Sequence, residues 1–98
     1  MEQNKLYRMK FEAVTDEATD TFLEKNADYG NSFEMDLDDY DSVFPFLYES
    51  TKKLRRVKSL SKPGVVARVK ESIRDNIMDI VVYGIMAIMW LDKKEEGK

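Results

Sequence analysis

The chain has 98 residues, of which 43% are hydrophobic and 36% are charged, and its net charge is −3. These values are typical of one small soluble globular domain, and they exclude a disordered chain and a global attraction to nucleic acid. Cysteine and histidine are both absent, which excludes disulfides, zinc–thiolate sites and histidine general bases. Any metal site must therefore be built from oxygen ligands, which indicates Mg²⁺ or Mn²⁺.

Neither end of the chain predicts insertion into a membrane. The first ten residues contain no apolar signal segment. The longest apolar run, Ile80 to Leu91, is too short to span a bilayer. We therefore expect a cytoplasmic protein with no membrane partner.

The N-terminal part of the chain predicts one long helix. Apolar residues recur at three- or four-residue steps between Lys5 and Asn26, as they do on one face of a helix. Thr15 and Asp16 could divide this helix into two shorter ones. A turn is expected over residues 28–32, where Gly30 and its neighbour tolerate positive φ.

The segment that follows is predicted as a loop and then a second helix. Residues 34–41 carry five acidic side chains and are interpreted as a loop. Asp41 or Ser42 can cap the next helix, and Pro45 then falls in its first turn, where proline is tolerated. The helix is expected to end at Leu60, before the break at residues 61–64.

The third predicted helix is long, from about Val65 to Lys93. Its second half, residues 77–90, is apolar nearly all round, which indicates burial on several sides. A chain of this size offers little material to surround such a helix, so we expect a homodimer or homotetramer formed through it. Gly84 costs about 1 kcal/mol relative to alanine in mid-helix, which a close helix–helix approach would explain.

No strand-like alternation of useful length is present. The sequence therefore predicts a single all-α domain over residues 1–98. Its expected architecture is a bundle of three main helices, which oligomerisation through the C-terminal helix completes. The first of these helices could be divided into two shorter ones.

Three carboxylates in the third helix form the first candidate site. Glu71, Asp75 and Asp79 are spaced by four residues, which places them on one helical face. Asp79 lies among apolar neighbours, where an unpaired carboxylate costs on the order of several kcal/mol. Either the three residues supply oxygen ligands to Mg²⁺, or Glu71 pairs with Arg68 or Arg74 and Asp75 faces water. The spacing leaves both interpretations open.

The turn after the first helix is the second candidate site. In one interpretation Lys25, Asn31 and backbone amides meet a nucleotide, while Tyr29 or Phe33 packs on its base. In the other, this is an ordinary helix C-terminus with a glycine exit, and Phe33 is a hydrophobic anchor.

The third candidate site is a basic stretch in the second predicted helix, residues 52–58. Lys53 and Arg56 share a face and could clamp phosphates; a nucleic-acid patch and a solvated surface are the alternatives. The negative net charge and the lack of a recognisable DNA-binding motif disfavour nucleic acid. Glu49 precedes Lys52 by three residues, and it either forms a surface ion pair or completes the metal site.

Together, three patterns in these segments resemble a known family. They are the K-x-x-D-Y-G-x-S turn beginning at Lys25, the Lys53/Arg56 pair, and the D-x-x-x-D-x-x-x-Y pattern beginning at Asp75. In these three patterns the chain resembles the nucleotide-modification-associated domain family of phages and bacteria. That family is similar to the all-α nucleoside triphosphate pyrophosphatases, the MazG-like and dimeric dUTPase-like helical proteins.

The resemblance implies Mg²⁺-dependent hydrolysis of a nucleotide between its α and β phosphates, with release of pyrophosphate. It implies that Asp75 and Asp79 bind metal with Glu71 beside them, and Glu49 is the remaining acid we assign to the catalytic set. The substrate-binding residues that we expect are Lys25, Asp28, Tyr29, Asn31, Lys53 and Arg56.

The chain also departs from the pyrophosphatase pattern. That pattern has a glutamate three residues before the helix aspartate, where this chain has Asn76, and its E-E-x-x-E motif has no counterpart here. Three hypotheses therefore stay open: a nucleotide pyrophosphohydrolase, a non-catalytic nucleotide-binding accessory protein, and a small nucleic-acid-associated regulator.

Overall fold

A computed structural model of the chain describes residues 2–29, 31–65 and 70–97, with the backbone alone for residues 28–29 and 70–72. In these ranges the chain forms four α-helices and no strand, which confirms the all-α prediction. The helices are α1 (Glu2–Tyr29), α2 (Ser32–Tyr40), α3 (Phe44–Leu60) and α4 (Lys70–Glu96). The chain divides into two compact units, residues 1–30 and residues 31–98.

The first unit consists of α1, which is one continuous helix. The division that Thr15 and Asp16 suggested is therefore wrong. The Thr15 hydroxyl donates to the Glu12 carbonyl at 2.9 Å, and the Thr19 hydroxyl donates to the Thr15 carbonyl at 3.1 Å. By bonding to the preceding turn, both threonines fit inside the helix instead of ending it.

In the second unit, the predicted loop at residues 34–41 is wrong, because most of it is helix α2. Leu37 is fully buried, and Phe33 lies on the same face one turn earlier. These two apolar residues anchor a helix whose other positions are mostly acidic. Asp41 ends the helix in the left-handed conformation, with φ of 51°. Asn31, before the helix, has an ordinary φ of −96°, and Gly30 lies outside the described residues.

The acidic side of α2 is held by the C-terminal end of α4. The Trp90 indole N–H donates to Asp38 Oδ1 at 2.8 Å. Two ion pairs flank this bond: Lys93 with Glu34 at 3.3 Å, and Lys94 with Asp41. We call this set the α2–α4 contact.

Helix α3 begins and ends close to where the sequence predicted. Pro45 falls in the first turn, and the Ser42 hydroxyl accepts a hydrogen bond from the Phe44 N–H at 3.1 Å. Asp41, the other predicted cap, instead terminates α2. The break after Leu60 is also present, and Gly64 adopts a φ of 89° there, a conformation that glycine reaches without strain.

Helices α3 and α4 lie side by side and run in opposite directions. Phe46, early in α3, faces Gly84, whereas Lys53, further along α3, reaches back to Asp79. A Cβ added at Gly84 would meet the Phe46 ring at 3.7 Å, an ordinary van der Waals contact. Packing against α3 therefore does not require a glycine here, since a methyl group would fit, and a close approach by a helix of a second copy stays a prediction.

Helix α4 differs from its prediction at both ends. Val65 is not helical, residues 66–69 lie outside the described residues, and the helix continues to Glu96. Its apolar second half is buried on one side only, at Met78, Val82, Ala87 and Trp90. Oligomerisation through this helix stays a prediction. In the described part of the chain, no helix has the length and hydrophobicity to cross a membrane.

Candidate functional site

The centre of the candidate site is an ion pair between α3 and α4. Lys53 Nζ lies 3.0 Å from Asp79 Oδ2, and the two side chains are 21% and 14% exposed. Partial burial weakens solvent screening, so each charge depends on the other more than surface charges do. The pair explains how the carboxylate of Asp79 is tolerated among apolar neighbours. It also brings together two residues that the sequence predicted for different roles, metal binding and phosphate binding.

A buried hydroxyl lies next to this pair. Ser50 is 7% exposed, and its Oγ has no hydrogen-bond partner among the described residues. It stands on the face of α3 between Phe46, which meets Gly84, and Lys53, which meets Asp79. Buried polar groups are satisfied in most proteins, so such a hydroxyl is a natural contact for a water or a ligand. The sequence analysis did not identify Ser50. Its position three residues before Lys53, and so on the same helical face, could have indicated it.

An aromatic pair lies one turn further along α4. The rings of Tyr83 and Phe33 are stacked, with centroids 4.9 Å apart and an interplanar angle of 19°. Since Tyr83 follows Asp79 by four residues, the stack and the ion pair lie along one side of α4. Phe33 is thereby an anchor of α2, which was one of the two roles predicted for it. The flat faces of such a pair are also surfaces on which a nucleobase can stack.

Asn76 lies one turn before Asp79, and it is 4% exposed. This residue stands where the pyrophosphatase pattern has a glutamate. A carboxylate at so buried a position would need a cation to offset its desolvation, whereas a neutral amide does not.

Glu49 and Lys52 form a second, more exposed ion pair on α3. The Lys52 ammonium lies 3.1 Å from Glu49 Oε2 and 4.8 Å from the centroid of the Tyr48 ring. The hydrogen bond to Glu49 raises the pKa of Lys52 above its usual value, and desolvation acts in the opposite direction. Glu49 thus takes the surface-pair role that was one of its two predicted roles, and its part in a metal site stays a prediction.

The structure describes the side chains of four of the remaining predicted site residues. Asp75, Asn31 and Arg56 are exposed, and Lys25 is exposed within the first unit. The side chains of Asp28, Tyr29 and Glu71 lie outside the described residues. Among the acidic residues that the structure does describe, no group of three lies close enough together to hold a metal ion.

Comparison with protein families gives one match. The family model described as nucleotide modification associated domain 1 matches residues 25–91. The match covers more than half of the chain and includes the end of α1, all of α2 and α3, and most of α4. Neither a curated protein nor a solved structure matches the chain.

Proposed function

Because the chain belongs to the nucleotide modification associated domain 1 family, we propose that it binds a nucleoside triphosphate at the Lys53–Asp79 pair. We further propose that it hydrolyses this nucleotide between the α and β phosphates with Mg²⁺ or Mn²⁺ and releases pyrophosphate. The observation that carries the proposal is the half-buried ion pair itself, which offers a cation for phosphate and a carboxylate for metal at one place.

Lys53 is the residue that we assign to the phosphates. Its ammonium sits on a flexible stem, so it can leave the single charge of Asp79 for the greater negative charge of a triphosphate. In that position it would offset the charge that develops on the phosphate oxygens during hydrolysis. Arg56, three residues later on α3, is the candidate for a second phosphate contact.

Asp79 would gain from a new cation once Lys53 has turned to the phosphates, because loss of the lysine charge leaves a mostly buried carboxylate less well compensated. Mg²⁺ is usually held by one or two carboxylates together with substrate phosphates. Asp79 and Asp75, one turn apart on α4, are donors of this type, so the residues fit a metal that is shared with the nucleotide. We propose Glu71 and Glu49 as further oxygen ligands. When bound, Mg²⁺ would neutralise phosphate charge and make a water molecule a better nucleophile.

The nucleoside would lie towards the Phe33–Tyr83 stack. Tyr83 is one helical turn from Asp79, a spacing of about 6 Å between neighbouring side chains on a helix, which suits a base next to bound phosphates. The unsatisfied Ser50 hydroxyl is the candidate hydrogen-bonding contact beside them. The nucleotide-binding roles that the sequence predicted for Lys25, Asp28, Tyr29 and Asn31 stay predictions.

A second candidate function is nucleotide binding without turnover. Two observations favour it: Asn76 replaces a carboxylate of the pyrophosphatase pattern, and Lys53 already neutralises Asp79. Such an accessory protein would bind the same nucleotides but release no product.

One assay distinguishes the two candidate functions, hydrolysis of the nucleotide and binding without turnover. The full chain is incubated with each nucleoside and deoxynucleoside triphosphate plus Mg²⁺, and pyrophosphate is measured. We expect release with at least one nucleotide, and a loss of about 100-fold or more in Asp79→Asn. Asp92→Asn, an exposed change on the same helix, is the matched control and should keep its activity. Circular dichroism checks that each variant is folded.

Calorimetric binding of a nucleotide with no product from any of them would support the second candidate. Wild-type turnover in Asp79→Asn would refute the assignment of the site.

A further inference from the structure

Three exposed aromatic rings adjoin one another on the surface of α3 and take no part in the candidate site. They belong to Tyr40, the last residue of α2, and to Phe44 and Tyr48 on α3, and they are 62%, 47% and 55% exposed. The ring centroids of Tyr40 and Phe44 lie 5.3 Å apart, and those of Phe44 and Tyr48 lie 6.2 Å apart. Adjoining exposed rings form a surface on which a further flat ring can stack.

Basic side chains follow the rings towards the end of α3. The Lys52 ammonium lies over the Tyr48 ring, 4.8 Å from its centroid, and it is also paired with Glu49. Arg55 and Lys58 follow Tyr48 at steps of seven and three residues, which keeps them on the same side of the helix. Both are exposed, and neither has an ion-pair partner among the described residues. We give the name aromatic–basic row to Tyr40, Phe44, Tyr48, Arg55 and Lys58.

The aromatic–basic row lies on a different side of α3 from the candidate site. At about 100° per residue, Tyr48 and Arg55 lie about 140–160° around the helix axis from Ser50 and Lys53. Lys53 is the residue that meets Asp79 of α4. A molecule bound to the row would therefore not have to enter the candidate site.

The charge of this surface differs from the charge of the whole chain. Helix α3 contains five basic residues and one acidic residue, although the chain has a net charge of −3. In the neighbouring acidic segment, three carboxylates are bound to side chains of α4 through the α2–α4 contact. The net charge that disfavoured nucleic acid in the sequence is therefore not the charge of the aromatic–basic row.

We propose that the aromatic–basic row binds single-stranded nucleic acid, with unpaired bases stacked on the rings and the phosphate backbone along Arg55 and Lys58. Proteins that bind single strands without sequence preference combine these two features, aromatic side chains for the bases and positive charge for the backbone. Every base has a flat π-face, so the row recognises unpaired bases and not a particular sequence. In a duplex these faces are stacked on each other, which leaves only the phosphates for contact.

The order of residues along the row favours a nucleic-acid strand over an anionic membrane. A helix that lies on a membrane has an apolar face along its whole length, with basic residues on the opposite, polar face. In the row, the rings occupy the first half of α3 and the basic residues occupy the second half on the same side. A flexible strand can place its bases on the one half and its phosphates on the other.

Fluorescence anisotropy of a labelled DNA strand of about 15 nucleotides tests the proposal. The full chain is titrated in the presence of a metal chelator, so the result does not depend on the proposed nucleotide hydrolysis. We expect a dissociation constant in the micromolar range at low salt, weaker binding as salt increases, and weaker binding to a duplex of the same length.

Substitutions separate the contribution of the rings from that of the charges. Tyr48→Ala should weaken binding about tenfold, whereas Tyr48→Phe keeps the ring and should bind as the wild type does. Tyr7→Ala, an exposed tyrosine on α1, is the matched control and should change nothing. Arg55→Ala should reduce the slope of log affinity against log salt by about 0.7, because one phosphate contact is lost. Circular dichroism checks that each variant is folded.

Four results would overturn the proposal. They are no binding of the strand at low salt, equal binding by Tyr48→Ala and the wild type, a duplex bound as tightly as the strand, and affinity that does not change with salt. Binding of the wild type to phosphatidylserine vesicles and not to the strand would assign the row to a membrane surface instead.

Discussion

Asp79 keeps a carboxylate beside the apolar side of α4 because Lys53 reaches it from α3 at 3.0 Å. The same dependence makes the pair sensitive to loss of one member. With both side chains mostly buried, loss of one member would leave the other charge less well compensated where solvent screens it only weakly. The pair therefore links a stability requirement to the chemistry that we propose for the site.

Lys53→Met should lower the free energy of unfolding by about 1–3 kcal/mol, less than for a fully buried pair because both side chains keep some contact with water. The double variant Lys53→Met/Asp79→Leu should recover most of this loss, because the mostly buried carboxylate is then removed together with the lysine. Urea unfolding followed by circular dichroism measures both variants. Equal stability of Lys53→Met and the wild type would show that the pair contributes nothing to the fold.

For Ser50 we predict an effect on stability opposite to that for Lys53, because the Ser50 hydroxyl is buried without a partner among the described residues. Ser50→Ala removes a desolvated polar group, so the free energy of unfolding should stay unchanged or rise by about 1 kcal/mol. If the hydroxyl contacts the nucleotide, the affinity for the nucleotide should fall at the same time. Ser59→Ala, at an exposed position of the same helix, is the control. A clear loss of stability in Ser50→Ala would contradict the account of this residue.

Helix α2 is stabilised in part by polar partners in α4 that are distant in sequence. Its own nine residues include four carboxylates, Glu34, Asp36, Asp38 and Asp39, a composition that favours contact with solvent over packing. The α2–α4 contact reverses this preference, because the Trp90 indole and two lysines at the end of α4 meet that acidic side. The two ion pairs are exposed, so each adds little, and the partly buried indole bond should dominate.

Asp38→Ala should therefore destabilise the second unit by about 1–2 kcal/mol, since it leaves the indole N–H of Trp90 without its acceptor. Asp39→Ala, one position along and exposed, should change the stability by less than about 0.5 kcal/mol. Thermal unfolding followed by circular dichroism compares them. Equal effects of the two changes would contradict a specific role of the indole bond.

The elements show which parts of the fold the sequence could predict. Helices α1, α3 and α4 follow from apolar residues at helical spacing, a local signal. Helix α2 does not, because only Phe33 and Leu37 mark its buried face and its polar partners in α4 lie more than 50 positions away. For the site, spacing singled out Lys53 and Asp79 separately, but their contact depends on how α3 passes α4. Ser50 escaped notice because only its packing distinguishes it from a surface serine.

At the scale of the whole molecule, the two faces of α4 differ. One face carries Asp79 and Tyr83 against α3 and α2, and the other includes the exposed apolar residues Ile77, Val81, Ile85 and Ile88. A substitution on the second face would therefore leave the proposed phosphate contacts untouched.

The central claim is that the Lys53–Asp79 site hydrolyses a nucleoside triphosphate between its α and β phosphates. Phosphorus NMR of a reaction mixture with Mg²⁺ tests it most directly, because it identifies the bond that is broken. We predict signals of a nucleoside monophosphate and pyrophosphate with the wild type and Asp92→Asn, and unchanged triphosphate with Asp79→Asn. A nucleoside diphosphate with inorganic phosphate, no product from any nucleotide, or full activity in Asp79→Asn would contradict the account.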